Sequence, residues 1–147
     1  MAVTINGSGT ITGVPIGKIL QVVTVTKSTS FATSSTSYVD ATGVTLSITP
    51  TSISSKVMVF LTVSGASSVL DKATWYQILR DATSVGVVLS STFATSGTVQ
   101  AALTILDSPA TTSAVTYKLQ MKTQSANSST ISGNSDNTTL TVMEVAA

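Results

Sequence analysis

The chain has 147 residues, seven of them Lys or Arg and six Asp or Glu, and it contains neither histidine nor cysteine. That excludes the imidazole of proton transfer and metal binding, thiolate nucleophiles, zinc–thiolate sites and disulfides, so neither enzyme activity nor a cofactor is expected. The net charge of +1 comes from scattered side chains, which excludes the clustered basic footprint of a nucleic-acid binder.

In chain order, residues 1–17 stand apart. Val3, Ile5, Ile11, Val14 and Ile16 are interrupted by Gly7, Gly9, Gly13, Pro15 and Gly17, a pattern too broken to pack on itself. These residues read as an extended N-terminal arm that docks on a neighbouring subunit or scaffold, the alternative being a disordered leader, since chain ends fray unless tied down. Gly7-x-Gly9 lacks the flanking strand and helix that aim N–H groups at a phosphate. Gly17-Lys18 has no Ser or Thr after its lysine, so it is no Walker loop.

Residues 18–147 read as one all-β domain, an antiparallel β-sandwich of jelly-roll type. Strand signals recur about every ten residues, β-branched residues dominate, and sustained helical spacing is missing. Residues 18–26 are apolar on both sides of the alternation. Residues 42–49 point Val44, Leu46 and Ile48 one way and Thr45, Ser47 and Thr49 the other, until Pro50 removes a ladder donor. In residues 56–64, Val57, Val59, Leu61 and Val63 oppose Met58, Phe60 and Thr62, which predicts a central strand covered on both sides. Residues 75–80 and 85–91 flank a turn at Asp81-Ala-Thr-Ser. Val99, Ala101, Leu103 and Ile105 mark a further strand, stopped by Asp107-Ser-Pro. Val115, Tyr117, Leu119 and Met121 alternate with Thr116, Lys118, Gln120 and Lys122, so the two lysines read as a solvated sheet edge. Residues 124–137 read as a polar loop, and Leu140 to Val145 as the last strand.

Few residues carry chemistry. Of the acids Asp40, Asp71, Asp81, Asp107, Asp136 and Glu144, four lie beside turn-forming residues, where aspartate caps the turn rather than hydrolysing a glycoside. Asn134, Asp136 and Asn137 offer one carboxylate and no EF-hand spacing, too little for calcium. Trp75 and Tyr76 are adjacent in a strand and face opposite ways: one belongs to the core, and the other is a candidate interface or ligand contact.

No run approaches the roughly 18 apolar residues that span a bilayer, and residues 1–7 lack the features of a secretory signal, so no membrane partner is expected. The missing cysteines fit assembly in a reducing cytosol. A mean hydropathy of +0.43 with so few charges predicts that apolar surface is hidden between subunits.

Several stretches, in order, carry a resemblance: Gly17-Lys-Ile-Leu-Gln-Val-Val, Phe31-Ala-Thr-Ser-Ser-Thr-Ser-Tyr-Val-Asp, Leu46-Ser-Ile-Thr-Pro, Ser55-Lys-Val-Met-Val, Ile78-Leu-Arg-Asp, Leu106-Asp-Ser-Pro, Thr116-Tyr-Lys-Leu-Gln and Leu140-Thr-Val-Met-Glu-Val. Together, over about residues 17–147, they resemble a family of tailed-phage virion proteins found in tail-fibre tips and on particle surfaces. Tyr117-x-Leu119, the polar loop and the closing strand also resemble the trimeric jelly roll of complement globular heads and tumour necrosis factors. The resemblance implies a homotrimer in the virion, assembled in the host cytoplasm, whose partner is the major capsid protein or a tail-fibre protein. Two roles follow: a capsid cement or decoration protein, or a tail-fibre tip that contacts host surface glycan. A fibre needs a long shaft, and the seventeen-residue arm is short for one, so decoration is the expected role.

Overall fold

Valine, isoleucine and threonine are stiff at χ1 and pack well on a pleated surface, so a chain dominated by them favours strands. In a computed structural model the described residues are 4–5, 11–12, 18–67, 72–91, 98–125, 128–133 and 136–147, and they form strands and connections without a helix. The strands are β1 (Thr4–Ile5), β2 (Ile11–Thr12), β3 (Ile19–Lys27), β4 (Phe31–Thr33), β5 (Val39–Ile48) and β6 (Lys56–Ser67). They continue with β7 (Ala73–Arg80), β8 (Thr83–Ser91), β9 (Thr98–Asp107), β10 (Val115–Thr123), β11 (Ser129–Ile131) and β12 (Thr138–Val145).

Two antiparallel sheets form the sandwich. One has the order β5-β10-β7-β8. The other runs β3-β12-β6, with β9 on the far side of β6 and the short β11 and β4 continuing where β12 leaves off. The long strands therefore interleave as β3-β12-β6-β9 against β5-β10-β7-β8, a jelly-roll arrangement. The core lies between the sheets. Val57, Val59, Leu61, Leu140 and Val142 on one side meet Val44, Ile48, Ile78, Tyr117, Leu119 and Met121 on the other, all buried.

Several expectations change in the structure. β6 is central, paired by β12 and β9, but it is covered on one face only. Phe60 is 37% exposed and Thr62 is exposed, because no further layer of the described chain lies over that side. The polar tract 124–137 holds β11, whose Ser129 and Ile131 are buried. Hydroxyl pairing makes this burial possible: Thr74 and Ser129 share a hydrogen bond of 2.7 Å, and the Ser132 hydroxyl donates to the Lys27 carbonyl at 2.9 Å. Lys118 and Lys122 are not at an edge, since β10 is paired on both sides by β5 and β7.

The β7–β8 turn is tighter than expected. Arg80 pairs with Thr83, leaving Asp81-Ala82 as a two-residue loop with Asp81 at φ 52°. A left-handed first turn residue matches the twist of the flanking strands. Within the N-terminal segment, Thr4 pairs with Thr12 and Ile5 with Ile11, a short antiparallel ladder. Val3, Val14 and Ile16, like Gly7, Gly9 and Gly13, lie outside the described residues.

Candidate functional site

Strand alternation sends every second side chain out of the sandwich. The two outer faces differ sharply in chemistry. On β3-β12-β6-β9 the register aligns Val22, Met143, Met58 and Leu106 in one row across four strands. Val22 is 53% and Leu106 is 56% exposed. The next rows are Thr24, Thr141, Phe60 and Thr104, then Thr26, Thr139, Thr62 and Ala102. Thr24 and Thr141 share a hydrogen bond of 3.0 Å, so their hydroxyls answer one another across the strands. None of these three rows carries a charge.

The outer face of β5-β10-β7-β8 gathers charge, amide and aromatic groups. Lys122 pairs with Trp75 and Trp75 with Leu89, while Gln120 pairs with Gln77 and Gln77 with Val87. The Lys122 ammonium sits 4.8 Å from the Tyr38 ring centroid and 5.1 Å from that of Trp75. Lys118 donates to Asp40 Oδ2 at 2.9 Å and Gln120 to Asp40 Oδ1 at 2.7 Å. The Lys118 bond, then that of Gln120, holds the Asp40 carboxyl below its ordinary range.

The adjacent aromatics thus separate. Tyr76 is 1% exposed and belongs to the core, which removes it from the candidate contacts. Burial pushes its hydroxyl up to about 12. Trp75 is half-buried on the outer face. Of the arm residues, Ile5 and Ile11 are brought together as ladder partners.

The carboxylates tie strands together. Of the four acids expected to cap turns, Asp81 lies in one, but its Oδ1 accepts the Thr116 N–H of β10 at 2.9 Å and so ties the turn to the neighbouring strand rather than capping it. Asp40 lies within β5, and Asp107 ends β9, where both its oxygens receive Arg80 Nη1 at 2.6 Å. The Tyr117 hydroxyl also donates to Asp107 at 2.6 Å, and burial together with that bond pushes its ionisation far up. Asp136 accepts from Ser64 at 2.9 Å beside an open, hydroxyl-lined cleft of about 270 Å³. Asp71 and Asn134 lie outside the described residues. Among the described residues no three acidic side chains gather into a metal set.

Glu144 is fully buried on β12. It accepts from Gln21 Nε2, the Thr51 N–H and the Thr51 hydroxyl, each at 2.7 Å. Burial opposes its ionisation, yet the donors Gln21, Ser55 and Thr51 outweigh it and hold the carboxyl at about 2. Ser55 Oγ is buried beside it and has no partner in full hydrogen-bonding geometry. The outer rows and the Tyr38–Lys122–Trp75 cluster escape a sequence reading because each joins strands distant in the chain. The signal for the rows was the second apolar set within 18–26 and 56–64.

No family model matches the sequence, and no curated protein matches it. Among solved structures, the chain is similar to the infectious bursal disease virus VP2 subviral particle at 15% identity and a TM-score of 0.47, over 99% of this chain and 43% of that one. For the Gx strain of the same virus the values are 13% and 0.49, again over 99% and 43%. For T=1 particles derived from that virus they are 15% and 0.46, over 100% and 41%. The chain spans less than half the length of these viral chains.

Proposed function

We propose that the chain is a structural component of a virus particle with no bond-making step of its own, and more narrowly a homotrimeric decoration or cement protein on a tailed-phage capsid. The observation that carries this reading is the outer face of β3-β12-β6-β9, where three adjoining rows bear no charge and the row Val22, Met143, Met58 and Leu106 crosses all four strands. Contiguous exposed apolar surface of this kind marks an interaction site. Copies of the chain packed on it remove that surface from water, and closed symmetry limits the assembly to a defined oligomer. Stability then rises with assembly, which suits a disulfide-free protein outside the cell.

In this reading the phage assignment comes from the ordered segments that resemble tailed-phage virion proteins. Residues 1–17 reach across neighbouring shell subunits and set Val3, Ile5, Ile11, Val14 and Ile16 against the major capsid protein. The protein is built in the host cytoplasm and resides in the virion. Quantitative gel analysis of purified particles tests the assignment: decoration requires copy numbers close to those of the major capsid protein. Deleting residues 1–16 should abolish particle binding while leaving the oligomer intact, and retained binding removes the arm from this role.

The Tyr38–Lys122–Trp75 cluster favours a second reading, a tip bound to a tail-fibre protein and touching host surface glycan. A handful of copies per particle would select it.

A further inference from the structure

On the outer face of β5-β10-β7-β8 both oxygens of Asp40 are engaged, one by Lys118 at 2.9 Å and the other by Gln120 at 2.7 Å. That pair neutralises itself. Lys122 is left as the cation of this face with no carboxylate partner among the described residues. Its ammonium is held instead at 4.8 Å and 5.1 Å from the ring centroids of Tyr38 and Trp75. Ring quadrupoles attract a cation and fix its position, but they carry no net charge and cancel none of its own. The next strand continues the patch with Leu89 and Val87, 53% and 49% exposed. Gln120 and Gln77 add amide groups in the adjoining row.

A positioned single positive charge, an aromatic edge with apolar neighbours, and amides one row away match a sugar that bears one carboxylate. We propose that this face binds an acidic polysaccharide of uronate type. Lys122 takes the carboxylate, Trp75 and Leu89 take the apolar C–H face, and Gln77 and Gln120 take ring hydroxyls. One uncompensated cation is too few for nucleic acid, whose binding needs several phosphate contacts. A second copy is disfavoured as well, because packing there would desolvate Lys118, Asp40 and Lys122 together.

The proposal deepens the glycan reading of Trp75 and does not depend on capsid or tail location, since binding by the isolated full chain is measured apart from copy number. Affinity electrophoresis or calorimetry uses polygalacturonate, neutral dextran and poly-glutamate as probes. Polygalacturonate should bind, with affinity falling at least about tenfold in Lys122→Gln. The same charge change at Lys56→Gln, on the opposite face, should leave it unaltered, and both variants should melt like the parent. Absence of polygalacturonate binding overturns the proposal. So does equal binding of dextran or poly-glutamate, or an equal loss in Lys56→Gln.

Discussion

Glu144 is a buried anion that none of the described cations pairs with, held by neutral donors alone. Gln21 Nε2, which reaches the carboxylate, also donates to the Thr49 carbonyl at 2.7 Å and so lies across the site. The carboxyl sits at about 2 in the folded chain against an ordinary 4.5. A depressed folded value stabilises the protein fully above the ordinary value, and that contribution is lost as pH falls through the folded one. Glu144→Gln replaces an acceptor oxygen by an amide donor opposite other donors, and should cost about 2 kcal/mol at neutral pH. Denaturant titrations should show the gap between parent and variant closing from pH 4.5 down to about 2. A gap that stays constant with pH would refute the linkage. This residue was partly legible, because Glu144 shares the parity of Leu140 and Val142 and so had to point inward. Its donors were not, since Gln21 and Thr51 belong to segments far away in the chain. Trp75 and Tyr76 show the same limit: parity puts them on opposite faces, and only the second sheet decides which face is the core.

At the scale of elements, β6 changes partner along its length, from β12 at Thr62 to β11 at Gly65. The crossing is crowded. A Cβ on Gly65 would meet the Tyr76 hydroxyl oxygen at 2.7 Å and the Thr130 carbonyl oxygen at 3.0 Å. The second is backbone of a paired strand and has little room to give. Gly65→Ala should therefore destabilise the domain by about 1–3 kcal/mol, as overpacking does. Gly133→Ala is the contrast, because its nearest neighbour is the Thr130 side chain at 3.1 Å, which can turn away. Thermal melting should separate the two variants, and equal melting temperatures would show that the crossing tolerates a side chain. The eight long strands were readable from alternation, and Pro50 and Pro109 marked two of their ends. β4 and β11 were not, for three residues hold no period and the hydroxyls of β11 look like loop. Their burial rests on pairing that becomes visible only when Thr74, Ser129 and Lys27 are brought together.

At the scale of the molecule, alternation tells which side chains share a face but not whether anything covers that face. The two apolar sets of β6 were read as a strand buried on both sides, and the second set proves to be an outer surface. In the proposed assembly, burial between copies reconciles such a surface with a charge content of thirteen side chains, seven basic and six acidic, in the whole chain. Val22 and Leu106 stand at the two ends of the apolar row, so in the proposed assembly a lysine at either is placed where a partner copy seats. An ammonium without a counter-ion in that contact costs several kcal/mol to desolvate, and about 3 kcal/mol per contact already weakens association more than a hundredfold. Sedimentation should find the parent at three times its 14.9 kDa chain mass and Val22→Lys or Leu106→Lys as folded single chains with the same circular dichroism. Leu89→Lys, equally exposed on the other sheet, should remain assembled. The comparison separates loss of an interface from loss of solubility or fold, because all three variants add one exposed-strand lysine. A parent that sediments as a single chain, or a Leu89→Lys variant that dissociates along with the others, would remove the β3-β12-β6-β9 face from assembly and with it the structural reading of the chain.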